Sequence, residues 1–257
     1  MPLDAPVSES WTLPWSEVGF VAAAAESMAM GPDRLSAGQD GAITLYDPVE
    51  RSLITLVGGQ IVARRPTGAI DDLFTTPAGL LLTVDHSGRT LRSPSARRPL
   101  PPLAPSHGQL DLVGDQVLLR DLFGNGHPIA TLAPDGALSA PRSPGLVPPV
   151  CELVWSPPQL QACGVTLRLP KAIKASGQLL EGGGQRWLIV EAVTQPGGLG
   201  PISVARWAQN LDSGVVADLP TEGRLYAPSD DLAVDGAAAL VWMSPQPDGL
   251  RITRVSP

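Results

Sequence analysis

Short apolar runs separated by turn residues make up most of this chain. Apolar and polar positions alternate over residues 42–46, 165–169 and 251–255, and a period of two is typical of half-buried β-strands. Residue pairs that favour two-residue hairpin turns lie between such runs. These pairs are Asp40-Gly41, Asn125-Gly126, Asp135-Gly136, Asp235-Gly236 and Asp248-Gly249. No helical period extends over a long stretch, so the pattern predicts an all-β protein.

One unit recurs along the chain: an acidic residue, an apolar strand, a turn, and further apolar strands. Four copies match this unit well and two match it weakly, with first strands that begin near residues 27, 72, 111, 152, 178 and 231. The starts are on average about 41 residues apart, within the range of about 40–45 residues typical of a four-stranded propeller blade. The sequence therefore predicts a single β-propeller domain over residues 1–257 with six four-stranded blades, while five and seven blades remain alternatives.

The chain ends predict how such a propeller would close. The last unit, residues 231–257, has room for three strands, and residues 10–15 form a candidate strand near the N-terminus. An N-terminal strand that completes the last blade would remove exposed sheet edges. The competing architecture is a β-sandwich or several small β-domains, but a sandwich is usually nearer about 100 residues and does not repeat one unit at this period.

Residues 28–48 carry a family resemblance. They read Met-Ala-Met-Gly-Pro-Asp-Arg-Leu-Ser-Ala-Gly-Gln-Asp-Gly-Ala-Ile-Thr-Leu-Tyr-Asp-Pro. This stretch resembles one blade of the NHL/YVTN-like β-propellers, whose pattern is apolar-Ala-apolar-Gly-Pro-Asp-Gly, a strand, Asp-Gly, and a strand that ends in Tyr-Asp. Arg34 stands where that pattern usually has Gly, and the other units match it less well. The resemblance implies the propeller fold and no particular activity, since one fold hosts many functions.

Charge narrows the classes of partner. The chain has 18 basic and 25 acidic residues, a formal net charge of −7. Nucleic-acid-binding proteins carry a basic stripe, whereas the longest basic runs here are Arg64-Arg65 and Arg97-Arg98. No apolar run approaches the roughly 20 residues of a membrane-spanning helix, and the N-terminus lacks the basic region of a signal peptide. We expect no nucleic-acid or membrane partner and a cytoplasmic location, or export if a signal preceded Met1.

The common catalytic and metal-binding motifs do not occur in the sequence. His86, His107 and His127 are isolated, whereas zinc ligands cluster at short spacing. There is no Gly-x-Ser-x-Gly nucleophile elbow, phosphate-binding loop or calcium loop. Propellers of the gluconolactonase group hold a divalent metal with Glu, Asn and Asp, but neither Asn125 nor Asn210 begins a predicted first strand. We therefore predict no metal and no cofactor.

Acidic residues recur where the predicted first strands begin. They are Glu26, Asp72, Asp111, Glu152 and Asp231, with Gln178 in the sixth unit. First strands line the central channel of a propeller, so these side chains predict a carboxylate ring that would bind a cation or a polar ligand. Like charges at close range would raise the pKa values of some members. The alternative is that these acids are solvated residues at strand starts and bind nothing.

A Pro-rich connection offers a candidate docking surface. Residues 93–105 contain five Pro together with Arg97 and Arg98, and Arg92 comes directly before them. Loops on a rigid scaffold often carry recognition, so these arginines are candidates for contact with a protein partner. The alternative is that the segment is a stiff crossing between blades.

Cys151 and Cys163 are the two cysteines, and they bracket a predicted hairpin. A three-residue turn at residues 156–158 would pair residue 155 with residue 159 and, further out, Cys151 with Cys163. Paired cysteines in a reducing cytosol stay free and behave as small apolar groups, whereas a disulfide would indicate an exported protein. We expect free thiols.

The tryptophans fit the same architecture. Trp155, Trp187 and Trp242 lie in predicted inner strands and are expected to form core between blades. Trp11 and Trp15 flank Pro14 near the N-terminus and are expected to pack where the propeller closes.

Two functions fit the sequence. The first is a non-catalytic β-propeller scaffold for protein–protein interaction, one component of a larger bacterial assembly; the bias towards Ala, Arg, Pro and Gly is typical of a GC-rich genome. The alternative is a propeller enzyme, a metal-dependent lactonase or a lyase, that uses the acidic ring.

Overall fold

The fold is taken from a computed structural model that describes most of the chain. The described residues are 8–22, 28–76, 78–85, 90–93, 97–99, 108–113, 116–121, 128–132, 138–139, 153–162, 164–195 and 201–257. All regular secondary structure in these ranges is β-strand, which confirms the predicted all-β class. The described ranges contain no helix long and apolar enough to span a membrane.

The described strands form six antiparallel sheets. In five of these sheets the strands follow one another along the chain, and the sixth combines strands from both ends of the chain. The first sheet holds β2 (Arg34–Ala37), β3 (Ile43–Asp47), β4 (Ser52–Val57) and β5 (Gln60–Pro66). The second holds β6 (Ile70–Thr75), β7 (Leu81–Asp85), β8 (Thr90–Arg92) and β9 (Arg97–Pro99). The third holds β10 (Gly108–Val113), β11 (Gln116–Asp121), β12 (Pro128–Leu132) and β13 (Leu138–Ser139).

The remaining three sheets follow the same plan with two variations. The fourth sheet holds β14 (Leu153–Ser156), β15 (Gln159–Ala162) and β16 (Val165–Arg168), one strand fewer than predicted. The fifth holds β17 (Ala172–Gly182), β18 (Gln185–Thr194), β19 (Ser203–Asn210) and β20 (Val216–Asp218). The sixth holds β21 (Leu232–Val234), β22 (Leu240–Gln246), β23 (Gly249–Val255) and, from the other end of the chain, β1 (Ser8–Leu13).

Strand β1 joins the two ends of the chain. It pairs antiparallel with β23, from Ser8 opposite Val255 to Leu13 opposite Leu250. Trp11 and Trp15 are partly buried against the apolar cluster between the first and sixth sheets, as expected from the sequence. The turn between β4 and β5 approaches β1 so closely that a Cβ on Gly59 would clash with the Trp11 ring, and Gly59 has a φ of +78°. This position therefore requires glycine.

Apolar side chains of neighbouring sheets meet in five clusters. The first and sixth sheets share Leu45, Ile54, Met243 and Ile252; the first and second share Tyr46, Ile70 and Leu73. The second and third share Leu82, Leu91, Leu110 and Leu119. The fourth and fifth share Leu160, Ala162, Leu188 and Val190; the fifth and sixth share Trp187, Ile189, Leu240 and Trp242. The apolar core thus lies between sheets stacked face to face, because each strand exposes side chains to both of its faces.

The first strands of the sheets lie side by side. Strand β2 contacts β6 and β21, β6 contacts β10, and β17 contacts β10, β14 and β21. Sheets that stack face to face while their first strands gather on one side match a β-propeller.

Two predicted strand starts are wrong. The first sheet begins at Arg34 and not near residue 27, because Gly31-Pro32 precedes the strand and Met30 forms an isolated bridge with Val21. The fifth sheet begins at Ala172 and not near residue 178, because β17 pairs with β18 along its whole length. The other four predicted starts lie within three residues of the observed ones.

The predicted three-residue turn of the β14–β15 hairpin is also wrong. Ser156 pairs with Gln159 and Leu153 pairs with Ala162, so the turn contains only Pro157 and Pro158. A two-residue turn shifts the pairing by one residue relative to the register on which the proposed cysteine pair depended. Cys151 and Cys163 themselves lie outside the described residues.

Candidate functional site

The structure describes the predicted acidic ring in part. Asp72 lies in β6, and Asp231 comes directly before β21; both side chains are buried. Asp111 lies in β10, but its side chain is not described, and Gln178 is exposed within β17. Glu26 and Glu152 lie outside the described residues.

In the first sheet, Arg34 occupies the position that Asp72 occupies in the second sheet and Asp231 in the sixth. A backbone N–H-to-carbonyl bond closes the turn after the first strand in three sheets. These bonds run from Gly38 to Ala42 (2.7 Å), from Thr76 to Leu80 (2.9 Å) and from Asp235 to Ala239 (3.0 Å). Four residues before each donor stand Arg34, Asp72 and Asp231. The first sheet therefore contributes a cation where the sequence predicted Glu26, and the ring is mixed in charge.

Two arginines hold the carboxylate of Asp231. Arg206 of β19 donates from both terminal nitrogens, with 2.8 Å between Nη2 and Oδ1, and Arg224 Nη1 lies 2.9 Å from Oδ2. The exposed fractions of the three side chains are 7% for Asp231, 15% for Arg206 and 9% for Arg224. A bidentate arginine–carboxylate pair is among the strong charged hydrogen bonds. The Asp231 carboxylate is thus bound within the protein.

Asp72 joins two neighbouring sheets. Its carboxylate accepts hydrogen bonds from the backbone N–H groups of Leu73 (2.8 Å) and of Leu110 at the inner strand of the third sheet (2.5 Å). The residue is 3% exposed. Asp72 therefore links β6 to β10.

Asp230 is the carboxyl group in this cluster with a perturbed pKa. Burial raises its pKa well above the ordinary value, and the neighbouring carboxylates of Asp72 and Asp231 raise it further, while Arg34 opposes the shift. The Arg34 Nε atom is buried without a hydrogen-bond partner and lies 3.9 Å from Oδ2 of Asp33. The cluster thus combines a carboxyl group whose pKa is raised with a guanidinium whose buried Nε atom has no hydrogen-bond partner.

The raised pKa of Asp230 predicts a pH effect on stability. The folded protein holds this proton at a pH where the unfolded chain has released it, so stability falls as pH rises from the unfolded pKa, about 3.9, through the higher folded pKa. Asp230→Asn should therefore raise the melting temperature at pH 7, and the gain should shrink towards pH 4. Thermal melts of both proteins from pH 4 to pH 8 measure this. A gain independent of pH would contradict the assignment.

The three arginines proposed to contact a partner gather at one sheet edge. Arg97 and Arg98 form part of β9, the outer strand of the second sheet, where a loop was predicted, and both are exposed. Arg97 pairs across the strands with Arg92, whose side chain is 40% exposed and forms an ion pair with Asp85. This sheet edge thus carries two exposed arginines and one arginine that forms an ion pair.

Metal ligands do not gather within the described ranges. There, no group of three or more His, Cys, Asp or Glu side chains is arranged to hold an ion. His86, His107 and His127 lie outside these ranges.

Comparison with solved structures identifies the architecture. Two structures of virginiamycin B lyase from Staphylococcus aureus superpose on the chain with a TM-score of 0.52. The catalytically inactive variant with quinupristin shares 10% identity over 96% of this chain and 99% of that chain. The selenomethionine-substituted lyase shares 11% over 98% of this chain and 100% of that chain. The fold is a β-propeller. Identity this low carries no activity across to this chain.

Comparison of sequences does not assign the chain to a family. No protein-family model and no curated protein matches the chain. The resemblance of residues 28–48 to NHL/YVTN-like propellers therefore stays a prediction about the family within the propeller fold.

Proposed function

We propose that this protein is a non-catalytic β-propeller scaffold that binds a protein partner in a larger bacterial assembly, in the cytoplasm. The six described sheets would be the blades of one domain over residues 1–257, closed by β1 in the last blade. The blades would derive from the NHL/YVTN-like group.

One observation carries this proposal. The carboxylates of Asp72 and Asp231 are buried and bound to the protein's own groups, namely the backbone N–H of Leu110 and the guanidinium groups of Arg206 and Arg224. A carboxylate whose oxygens already accept such bonds has less capacity left for a substrate or a metal ion. These inner residues therefore favour a structural role for the cluster.

The outer edge of the second sheet supplies the candidate contact surface. Arg97 and Arg98 are exposed on β9, and arginine is enriched at protein interfaces because its guanidinium makes several directed hydrogen bonds. In an acidic chain of net charge −7, these cations would favour an acidic patch on the partner.

Charge reversal tests this surface. The double variant Arg97→Glu, Arg98→Glu is expected to lose a partner that the wild type captures from an extract of the source organism, with an unchanged melting temperature because both side chains are exposed. Arg65→Glu, Arg251→Glu makes the same change in net charge at exposed positions elsewhere and should retain the partner. Quantitative mass spectrometry of the captured proteins compares the three. Capture retained by the first variant would reject this surface.

The enzyme alternative is favoured by one observation, the raised pKa of Asp230, since perturbed carboxyl groups are common in active sites. Metal analysis of the purified protein separates the two functions. The scaffold predicts no bound ion, whereas one divalent ion per chain, lost on substitution of Asp72 or Asp230, would overturn it in favour of a metal-dependent lactonase or lyase.

A further inference from the structure

The fourth sheet ends one strand earlier than the other sheets. Its third strand, β16, ends at Arg168, and β17 of the next sheet begins at Ala172. In each of the first, second, third and fifth sheets the chain instead returns from the third strand to form a fourth. Three linking residues are too few to form another strand of that sheet. Within the described residues, nothing pairs with the outer side of β16.

The backbone groups on this outer side can be assigned from the hydrogen-bond pattern. The N–H of Leu169 donates to the carbonyl of Pro158 at 2.7 Å. Bonded and non-bonded pairs alternate along an antiparallel ladder, so Leu167, two residues earlier, also directs its backbone groups towards β15. The N–H and C=O groups of Thr166 and Arg168 therefore point away from the sheet, where a fourth strand would accept and donate hydrogen bonds.

The charge beside this edge is opposite to that of the whole protein. Residues 153–180 contain three cations and no acidic residue, and two of these cations are the chain's two lysines. Arg168 ends β16, Lys171 lies in the link and Lys174 lies near the start of β17; all three are exposed. A chain of net charge −7 thus has a basic segment beside the outer strand of the one three-stranded sheet among those described.

We infer that β16 binds an extended acidic peptide segment of a partner protein, which adds to the fourth sheet as its missing strand. Backbone groups of Thr166 and Arg168 would pair with the peptide, and Arg168, Lys171 and Lys174 would attract its carboxylates. Strand addition of this kind takes its affinity from main-chain bonds and its selectivity from side chains. The site is separate from Arg97 and Arg98, so it stands or fails independently of the proposed partner surface.

The test uses a synthetic peptide with the purified full-length protein. The probe is a fluorescein-labelled peptide of alternating Glu and Val, which as a strand places every Glu on one face. Fluorescence polarisation should show saturable binding that weakens as NaCl rises from 50 to 500 mM, roughly the range over which screening becomes strong. A Lys-Val peptide of equal length should not bind. A Glu-Pro peptide, which lacks every second N–H donor, should bind more weakly.

Two variants separate the backbone contribution from the charge contribution. Thr166→Pro removes an N–H on the free side without removing a bond within the sheet, as proline at an edge strand allows, and should weaken binding several-fold. Lys171→Glu, Lys174→Glu should weaken it about tenfold or more. Arg65→Glu, Arg251→Glu is the control of equal charge change and should bind within about twofold of the wild type. Arg97→Glu, Arg98→Glu should also bind normally.

Several results would overturn the inference. One is equal binding of the Glu-Val and Lys-Val peptides, and another is an equal loss in the lysine variant and its charge control. Amide hydrogen exchange gives a third readout: Thr166 and Arg168 should exchange quickly in the free protein and slowly with peptide. Protection of both amides without peptide would mean that another part of the chain, or a second copy if the protection falls on dilution, already covers the edge.

Discussion

Replacing Asp231 with Ala should lower the free energy of unfolding by about 3–5 kcal/mol, the cost of breaking a buried ion pair by removing one partner. The change leaves Arg206 and Arg224 buried with no carboxylate between them, and these side chains are only 15% and 9% exposed. Urea denaturation followed by tryptophan fluorescence measures the loss.

An exposed ion pair provides the matched control. Arg186 and Asp212 form a bridge with 2.6 Å between Nη2 and Oδ1, but their side chains are 46% and 33% exposed. Asp212→Ala should therefore cost no more than about 1 kcal/mol. Equal losses in the two variants would contradict the view that burial makes the Asp231 cluster structural.

Replacing Trp187 with Ala should cost about 3–5 kcal/mol, the usual range for removal of a large buried aromatic side chain. Trp187 has no exposed surface and belongs to the cluster between the fifth and sixth sheets. Its ring nitrogen donates a hydrogen bond to the Ala238 carbonyl at 2.9 Å. The substitution removes both the apolar contacts and that bond, and the same denaturation measurement reports it.

A second substitution at this position separates the two contributions. Trp187→Phe retains much of the apolar contact but leaves the Ala238 carbonyl without its donor, so a loss of about 1–3 kcal/mol is expected. If Phe cost as much as Ala, the hydrogen bond and not the packing would dominate. A cost below about 1 kcal/mol for the Ala variant would show that the two sheets do not depend on this residue for their packing.

Local patterns predicted the strands well. The turns at Asp40-Gly41 and Asp235-Gly236 join the first two strands of their sheets, although each connection spans five residues, 38–42 and 235–239, and not the predicted two. Period-two alternation marked β16 and β23. Trp187 and Trp242 are buried where inner strands were predicted, and Trp155 is partly buried. These features depend on neighbours a few residues away.

The same local signals misplaced two strand starts. Gly31-Pro32-Asp33 has the composition of a hairpin turn, but in the structure it precedes the first strand and does not divide two strands. Turn residues mark where the chain bends and do not specify which hairpin the bend belongs to. That error moved the predicted ring position from Arg34 to Glu26.

The sequence by itself determined the all-β class, the repeated sheet unit and the residues that begin most inner strands, because period-two patterning and turn chemistry act over short distances. Only the tertiary structure decided what those residues do. Arg206 approaches Asp231 from another sheet, and Asp230 gains its raised pKa from groups that the fold brings together. Charge pairing and burial are properties of neighbours in space, so Asp72 and Asp231, which the sequence places in a free acidic ring, link neighbouring sheets in the folded protein.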